Sequence, residues 1–414
     1  MAQPPKNREA AAFVIKPDMA KALADEWRSR ILMELSVRPM SPSRFVKEVG
    51  GELWDISRCF TQLAQWGHIE LIEVKKGEGR RGGEEHIYRR VQRHHFDTAT
   101  WEGLPRSLRE EVSGSTVGSY IARISEAVEG GTFDAEVDRH LSWDGIWLDR
   151  IGWKQLGARL DEVLDWLPEL GAEAAGRMSD SREEPILTTV GLTAFRSPQI
   201  STRRDRSTSL TDKPPDTAPP FVISAKMAKA LANKWRSRIL LELSVRPLSP
   251  SQFVKEVGGD LSNVSRYFHQ LVEWGYIELT ETRRGGHRRG GTEHIYRKIH
   301  GAHFDTSTWE RLPLFLREEF SGSNLESYIA RISEAVEAGT FDAEIDRHFS
   351  WDGISLDRLA WSQLMARLDE LLYWLPELEA EAAARMAETR EEPIPTTVGL
   401  TAFRSPASSE QTKK

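Results

Sequence analysis

The chain has 414 residues, of which 39% are hydrophobic and 29% charged, and its formal net charge is −7. That length suffices for several domains with cores of their own, and no apolar run approaches the roughly 20 residues of a membrane span. Cys59 is the only cysteine, which excludes an internal disulfide and a cysteine-built zinc site. The N-terminal MAQPPKNREAAAFVIK lacks the apolar core of a signal peptide, so a soluble, cytoplasmic protein is expected.

Charge is unevenly spread. Residues 13–95 hold 15 Lys/Arg against 12 Asp/Glu, and 221–303 hold 14 against 7. Residues 96–198 hold 10 against 19, and 304–406 hold 9 against 20. Basic units therefore alternate with acidic ones. A basic unit can concentrate at a polyanion even within an acidic chain.

The alternation reflects a duplication. Residues 13–198 align with 221–406 at a constant offset of 208, without a gap and with about 70% identity, far above the similarity of solenoid repeats. Each copy is a basic unit (13–95 and 221–303) followed by an acidic one (96–198 and 304–406). Between the copies, QISTRRDRSTSLTDKPPDTAPP (199–220) is rich in Pro, Ser and Thr and reads as a flexible linker.

The basic unit is read most easily in its second copy. MAKALANKWRSRILLELS (227–244) puts Leu231, Trp235, Ile239, Leu240 and Leu243 on one helical stripe, ended by Pro247. Ser249 is an N-cap and Pro250 fits the first turn of a second helix, with Phe253, Val254 and Val257 inward and Gly258-Gly259 as the turn. A third helix, LSNVSRYFHQLVEWG, turns Leu261, Val264, Phe268, Leu271 and Val272 inward and stops at Gly275. YIELTE and EHIYRKI are strand-like runs flanking the Gly- and Arg-rich tip TRRGGHRRGGT. Three helices and a two-stranded wing make a winged helix-turn-helix, so the expected fold class is mainly α with small β wings, each winged unit being followed by a helical domain.

In the acidic unit, HFDTATWEGLPRSLREEVSGS (95–115) carries the stripe Trp101, Leu104, Leu108 and Val112, and VGSYIARISEAVEGG offers Val117, Tyr120, Ile121, Ile124 and Val128 as a second helix. A loop is expected through Ser142-Trp143-Asp144-Gly145. The next helix repeats Leu156, Leu160, Val163, Leu164, Leu167 and Leu170 at coiled-coil-like spacing, with a kink expected at Pro168. It could pair with its copy, through Leu364, Leu368, Leu371, Leu372 and Leu375. The tail of EEPILTTVGLTAF reads as one short strand.

LSNVSRYFHQLVEWGYIEL, with its wing ending in HIYR, resembles the ArsR-type winged-helix transcription regulators over about 80 residues of each half. A winged helix followed by an acidic helical unit ending in TTVGLTAF is similar to ArsR-type regulators of actinobacterial type. The resemblance implies sequence-specific binding of double-stranded DNA, with repression commonly relieved by a small-molecule effector or a metal.

The residues support that reading. Short polar and amide side chains near a recognition-helix N-terminus reach base edges, and Ser262, Asn263 and Ser265 are of that kind. Arg266, Tyr267, His269 and Gln270 can reach bases or phosphates farther along. Ser262, Asn263 and His269 are the candidates for base readout. In the wing, Arg283, Arg284, Arg288 and Arg289 sit among glycines, suited to the backbone or a minor groove.

The first copy supplies Ser57 and Arg58 on its third helix and Arg80 and Arg81 at its wing tip. There Ser262 becomes Trp54, Asn263 Asp55, Tyr267 Cys59 and His269 Thr61, while Leu53, Ile56, Phe60 and Leu63 keep the core apolar. Change is concentrated on the face that would read DNA. The expectation is a single-chain pseudo-dimer in which the second copy carries most of the affinity and the first reads a different half-site or another partner. Two independent modules from a neutral duplication, and higher oligomers, stay open.

Other classes are disfavoured. The chain has no phosphate loop and no nucleophile elbow, and Asp134, Glu136 and Asp138 lie in a solvated acidic stretch, so no enzyme and no cofactor are expected. His94, His95 and Asp97, or Asp138 and His140, read as polar loop and cap residues rather than metal ligands. Trp143, Trp147, Trp153 and Trp166 could line an apolar pocket, though such aromatics are more often core. The competing functional class is a winged-helix docking module that binds protein without reading DNA. Such a module would not need the wing arginines together with Asn263 and Arg266.

Overall fold

The computed structural model describes residues 13–14, 24–76, 84–91, 94–95, 101, 103–181, 183–198, 221–222, 233–245, 247–284, 292–299, 302–303, 309 and 311–406. The chain divides into two compact units, one of 1–130, 352–354 and 406–414, the other of 131–351 and 355–405.

In the first unit, β1 (Phe13–Val14) precedes three helices, α1 (Glu26–Val37), α2 (Pro42–Glu48) and α3 (Leu53–Gln65). A ribbon of β2 (Ile69–Lys76) and β3 (Glu84–Arg90) follows, then β4 (His94–His95), which pairs in parallel with β1. Asp25 caps α1 by accepting from Arg28 N at 3.0 Å, and Ser41 caps α2 by accepting from Arg44 N at 3.1 Å. Capping of this kind satisfies backbone donors the helix leaves open. α4 (Arg106–Glu129) completes this unit's helices.

The second unit begins with β5 (His140–Leu148), α5 (Arg150–Ser181) and β6 (Ile186–Arg196). The second copy then repeats the order. It runs β7 (Phe221–Val222), α6 (Lys234–Val245), α7 (Pro250–Val257), α8 (Leu261–Glu273), β8 (Ile277–Arg284), β9 (Thr292–Lys298) and β10 (Ala302–His303). α9 (Leu314–Glu337), β11 (His348–Leu356), α10 (Arg358–Thr389) and β12 (Ile394–Arg404) finish it. Within β11, residues 352–354 group with the first unit.

Each three-helix head is held by a chain of aromatic contacts. Phe253 meets Trp235 at 6.4 Å and Phe268 at 6.1 Å, and Phe268 meets Tyr296 at 5.4 Å. These four side chains tie α6, α7, α8 and β9 together. Trp27, Phe45, Phe60 and Tyr88 repeat the chain in the first head. Phe253 and Phe268 are fully buried, and each such side chain stabilises by about 1.5–3 kcal/mol. The ribbon is fastened by a bridge in which Leu248 and Tyr296 exchange both backbone hydrogen bonds at 3.0 Å. Gly259, at φ +100°, makes the turn into α8, and a Cβ there would stand 3.2 Å from the Trp235 ring.

The heads also carry buried charge. Glu34 of α1 accepts from Arg123 of α4 at 2.7 Å, and Arg30 bonds Glu126. In the second copy Arg238 bonds Glu242 at 2.9 Å and Glu334 at 2.5 Å, with Arg331 at 3.6 Å from Glu242. Burial pulls the Arg123 and Arg331 guanidiniums below their usual range, against the carboxylates that favour their charge. These clusters weld the first helix of each head to the long helix of its own acidic unit.

The two copies meet in a four-stranded sheet of order β11-β6-β12-β5. β6 and β12 are antiparallel and in register from Thr188↔Arg404 to Arg196↔Thr396, and β12 pairs with β5 from Ala402↔His140 to Ile394↔Leu148. α5 packs on α10. The leucines expected at that seam are buried at 156, 160, 167, 170, 364, 368, 371 and 375. Arg177 grips Asp357 at 2.5 and 3.1 Å, and Arg385 grips Asp149 at 2.6 and 2.9 Å. Both pairs run from one copy to the other.

Several expectations are corrected. The architecture is mixed α and β, not mainly α with wings alone, because the acidic units contribute a shared sheet. Residues 142–145 lie in β5 rather than a loop, since β12 supplies partners for their backbone. The two helices expected between 95 and 130 are one, Arg106–Glu129. The small residues at 113–115 interrupt the apolar stripe without breaking helix geometry, and Ser113 is buried. TTVGLTAF belongs to an 11-residue strand. Leu53 and Leu261 are 48% and 47% exposed, for they open their helices beyond the end of the core. Val272 and Val128 lie at the margins of their stripes and are also exposed. Among the described residues no helix is long and apolar enough to cross a membrane.

Candidate nucleic-acid interface

α8 is amphipathic, and its polar face is the candidate surface. Val264, Phe268 and Leu271 turn into the core. Ser262, Asn263, Arg266 and His269 are exposed on the outward side, and Ser265 is half-buried. Asp260 caps the helix by accepting from Asn263 N at 2.9 Å. Arg266 Nη2 donates to Asn263 Oδ1 at 3.0 Å, and its guanidinium lies 5.5 Å from the Tyr267 ring. The amide and the cation are thus oriented together before anything binds.

Tyr267 and Gln270 serve mainly the head itself. Tyr267 packs against the core, with Arg236 of α6 at 5.4 Å from its ring. Arg236 also stacks 5.4 Å from Trp274 and donates to Gln270 Oε1 at 2.8 Å. Arg236 was not among the sequence candidates. Its signal was the stretch KWRSR, matched by EWRSR in the first copy, where Arg28 donates to Gln62 Oε1 at 2.8 Å and stacks 5.5 Å from Trp66. The same clamp therefore holds α1 to α3 and α6 to α8.

The first head presents other chemistry. Trp54 is 71% exposed on α3, with Asp55 exposed beside it and Arg58 5.2 Å from the indole ring. Ser57 is half-buried, and its carbonyl accepts from Thr61 Oγ1 at 2.9 Å. Cys59 is buried in the core, and burial pushes its thiol above the usual range. That position faces inward, so the change from Cys59 to Tyr267 alters packing as well as surface.

In the β8–β9 ribbon, Arg283 Nε donates to Glu281 Oε1 at 2.6 Å, which holds the Glu281 carboxyl below its usual range. Arg297 donates likewise to Glu278 at 2.5 Å. Arg284 ends β8, and nothing of its side chain is described. Arg80, Arg81, Arg288 and Arg289 lie outside the described residues.

The head is anchored to the shared sheet. Lys298 Nζ, at the end of β9, donates to Asp144 of β5 at 2.6 and 2.8 Å. Beside them Glu379 of α10 accepts from Trp147 N at 2.8 Å. Desolvation, reinforced by the Asp144 charge, raises the Glu379 carboxyl to about 7. In the first unit Arg90, at the end of β3, donates to Asp352 at 3.0 Å. Lys298 thus ties the second ribbon to a strand of the first copy.

Two of the tryptophans weighed as a pocket, Trp143 and Trp153, have side-chain partners. Trp143 Nε1 donates to Asn324 Oδ1 at 2.7 Å, and Trp153 Nε1 to Asp346 Oδ1 at 2.8 Å. His140 sits 3.4 Å from Asp369 and 2.6 Å from Ser142 Oγ. Among the described residues no group of three His, Cys, Asp or Glu is placed to hold a metal ion.

No protein-family model matches the chain, and no curated protein matches it in sequence.

Proposed function

We propose that the chain is a sequence-specific DNA-binding transcriptional regulator whose two heads are winged helix-turn-helix modules, joined as a pseudo-dimer in one polypeptide. One observation carries this reading: α8 buries an apolar stripe while exposing Ser262, Asn263, Arg266 and His269 on one polar, cationic face. Such a face suits the major groove, where amides and guanidiniums meet base edges and phosphates. The basic balance of both heads supports it, as does the exchange of strands and ion pairs between the copies, which suits a fused dimer. The acidic units would then serve to join the heads, and a small effector would act by changing that junction.

The test is an anisotropy titration of the full chain against random duplex DNA at two salt concentrations, followed by sequencing of the bound fraction. Enrichment of a defined site, with affinity falling steeply as salt rises, is the expected result. Absence of binding even at low salt would overturn the reading and favour a protein-docking module.

A further inference from the structure

The two outward faces differ in what they can accept and donate. Asp55 is a carboxylate, which when ionised only accepts hydrogen bonds. Phosphate repels it. In the major groove its partners are the exocyclic amines, chiefly cytosine N4. Guanine O6 and N7 and thymine O4 are acceptors and would oppose it. Beside it Trp54 offers an exposed apolar ring, and the one apolar feature of the major groove is the thymine methyl. Arg58 stacks on that same ring, so the indole and the guanidinium form one slab next to the carboxylate.

At the equivalent positions of α8 stand Ser262 and Asn263. Asn263 has both a donor and an acceptor, the pattern that adenine N7 and N6 match as a pair. Arg266, held at 3.0 Å by the same amide, is equipped for guanine O6 and N7 or for phosphate. The second face has nothing apolar in place of Trp54.

We propose that the protein reads an asymmetric operator. Its α3 half-site is recognised through a thymine methyl by Trp54 and a cytosine amine by Asp55, and its α8 half-site through purines by Asn263 and Arg266. This rests on the DNA-binding reading above and names its specificity. Because Trp54, Asp55, Ser262 and Asn263 are all exposed, they can be exchanged without touching either core.

The experiment selects bound duplexes with the full-length wild type and with the double variant Trp54→Ser/Asp55→Asn, which gives α3 the two α8 residues. Wild type is expected to enrich two unlike half-sites. The double variant is expected to change one half only, moving its preferred bases toward those of the other half, with roughly fivefold to hundredfold shifts in preference at the altered position. As a second readout, replacing thymine by uracil in the α3 half-site removes the methyl. It should weaken wild-type binding several-fold and leave Trp54→Ser unaffected. A palindromic wild-type site, an unchanged site in the double variant, or equal uracil sensitivity in both proteins would overturn the proposal while leaving the DNA-binding reading standing. No duplex bound by any of the proteins would overturn that reading itself, and the proposal with it.

Discussion

Leu192 of β6 stands opposite Leu400 of β12 in the antiparallel register of the central sheet, and the two are the same residue of the repeat, 208 positions apart. A register centred on equivalent residues is what a twofold-related pair of identical chains would make. The pairing is continuous from Thr188 to Arg196 and is flanked by β12 on β5 and by α5 on α10. A protease site introduced within 199–220 should therefore leave two fragments that co-elute in size-exclusion chromatography after cleavage, and that part only in denaturant. Separation under native conditions would contradict the shared sheet.

Asp149 and Asp357 each do two things. Each accepts a backbone hydrogen bond at the start of a long helix, from Gly152 N and Ala360 N at 2.8 Å, and each binds an arginine of the other copy. The arginine hydrogen bonds hold both carboxyls below their usual range. Such a group stabilises the fold above its unfolded pKa and loses that contribution as pH falls through the folded value. Asp149→Ala or Asp357→Ala should each destabilise by about 2 kcal/mol in urea unfolding at pH 7, with a smaller difference from wild type at pH 3.

Gly399 has no room for a side chain. A Cβ there would meet Tyr328 OH at 2.4 Å and Thr193 Oγ1 at 2.7 Å, and those two oxygens are themselves hydrogen-bonded at 2.7 Å. Gly399→Val should lower stability by about 1–3 kcal/mol through overpacking, seen as a lower thermal midpoint. Gly157→Ala, where nothing lies within 4 Å, should not lower it.

Glu379 sets a pH dependence of opposite sign to the aspartates. Its folded pKa of about 7 exceeds the ordinary 4.5. Between those values the unfolded chain gives up the proton first, so stability falls as pH rises from 4.5 to 7 and levels off on either side. The loss is on the order of 3 kcal/mol. Glu379→Gln should flatten that part of the profile in denaturation measured from pH 4.5 to 8. A parallel profile would show that Glu379 stays ionised. The first copy has Gly171 at this place, so the effect belongs to the junction beside Lys298 and Asp144.

Arg266 is exposed and donates to Asn263 with the Tyr267 ring beside it, whereas Arg58 lies over Trp54 with the acidic Asp55 nearby on the same helix. Arg266→Ala should weaken DNA binding more than Arg58→Ala, by about tenfold or more, and should reduce the salt slope by about 1. Equal losses in anisotropy titrations would refute the idea that the second head carries most of the affinity.

The sequence by itself determined the local parts. The constant offset of 208 disclosed the duplication, and the stripes at Ile239, Leu243, Phe253, Phe268 and Leu271 marked the helices of each head, because helical periodicity is written within a dozen residues. Ser249 and Gly275 marked helix ends for the same reason. The outward face of α8 could be read as the complement of its stripe, although Tyr267 and Gln270 turned out to serve the Arg236 clamp, whose members lie 34 residues apart in the case of Gln270. What only the tertiary structure decided was the exchange between copies. HLSWDGIWL carries Gly and Asp in its middle and looks like a loop, and it is a strand because β12, from the other end of the chain, satisfies its backbone. Asp144, Lys298 and Glu379 form no pattern in sequence, yet they converge where a ribbon strand, a sheet strand and a long helix meet. Strand pairing and burial of charge depend on partners hundreds of residues away, and no local propensity encodes them.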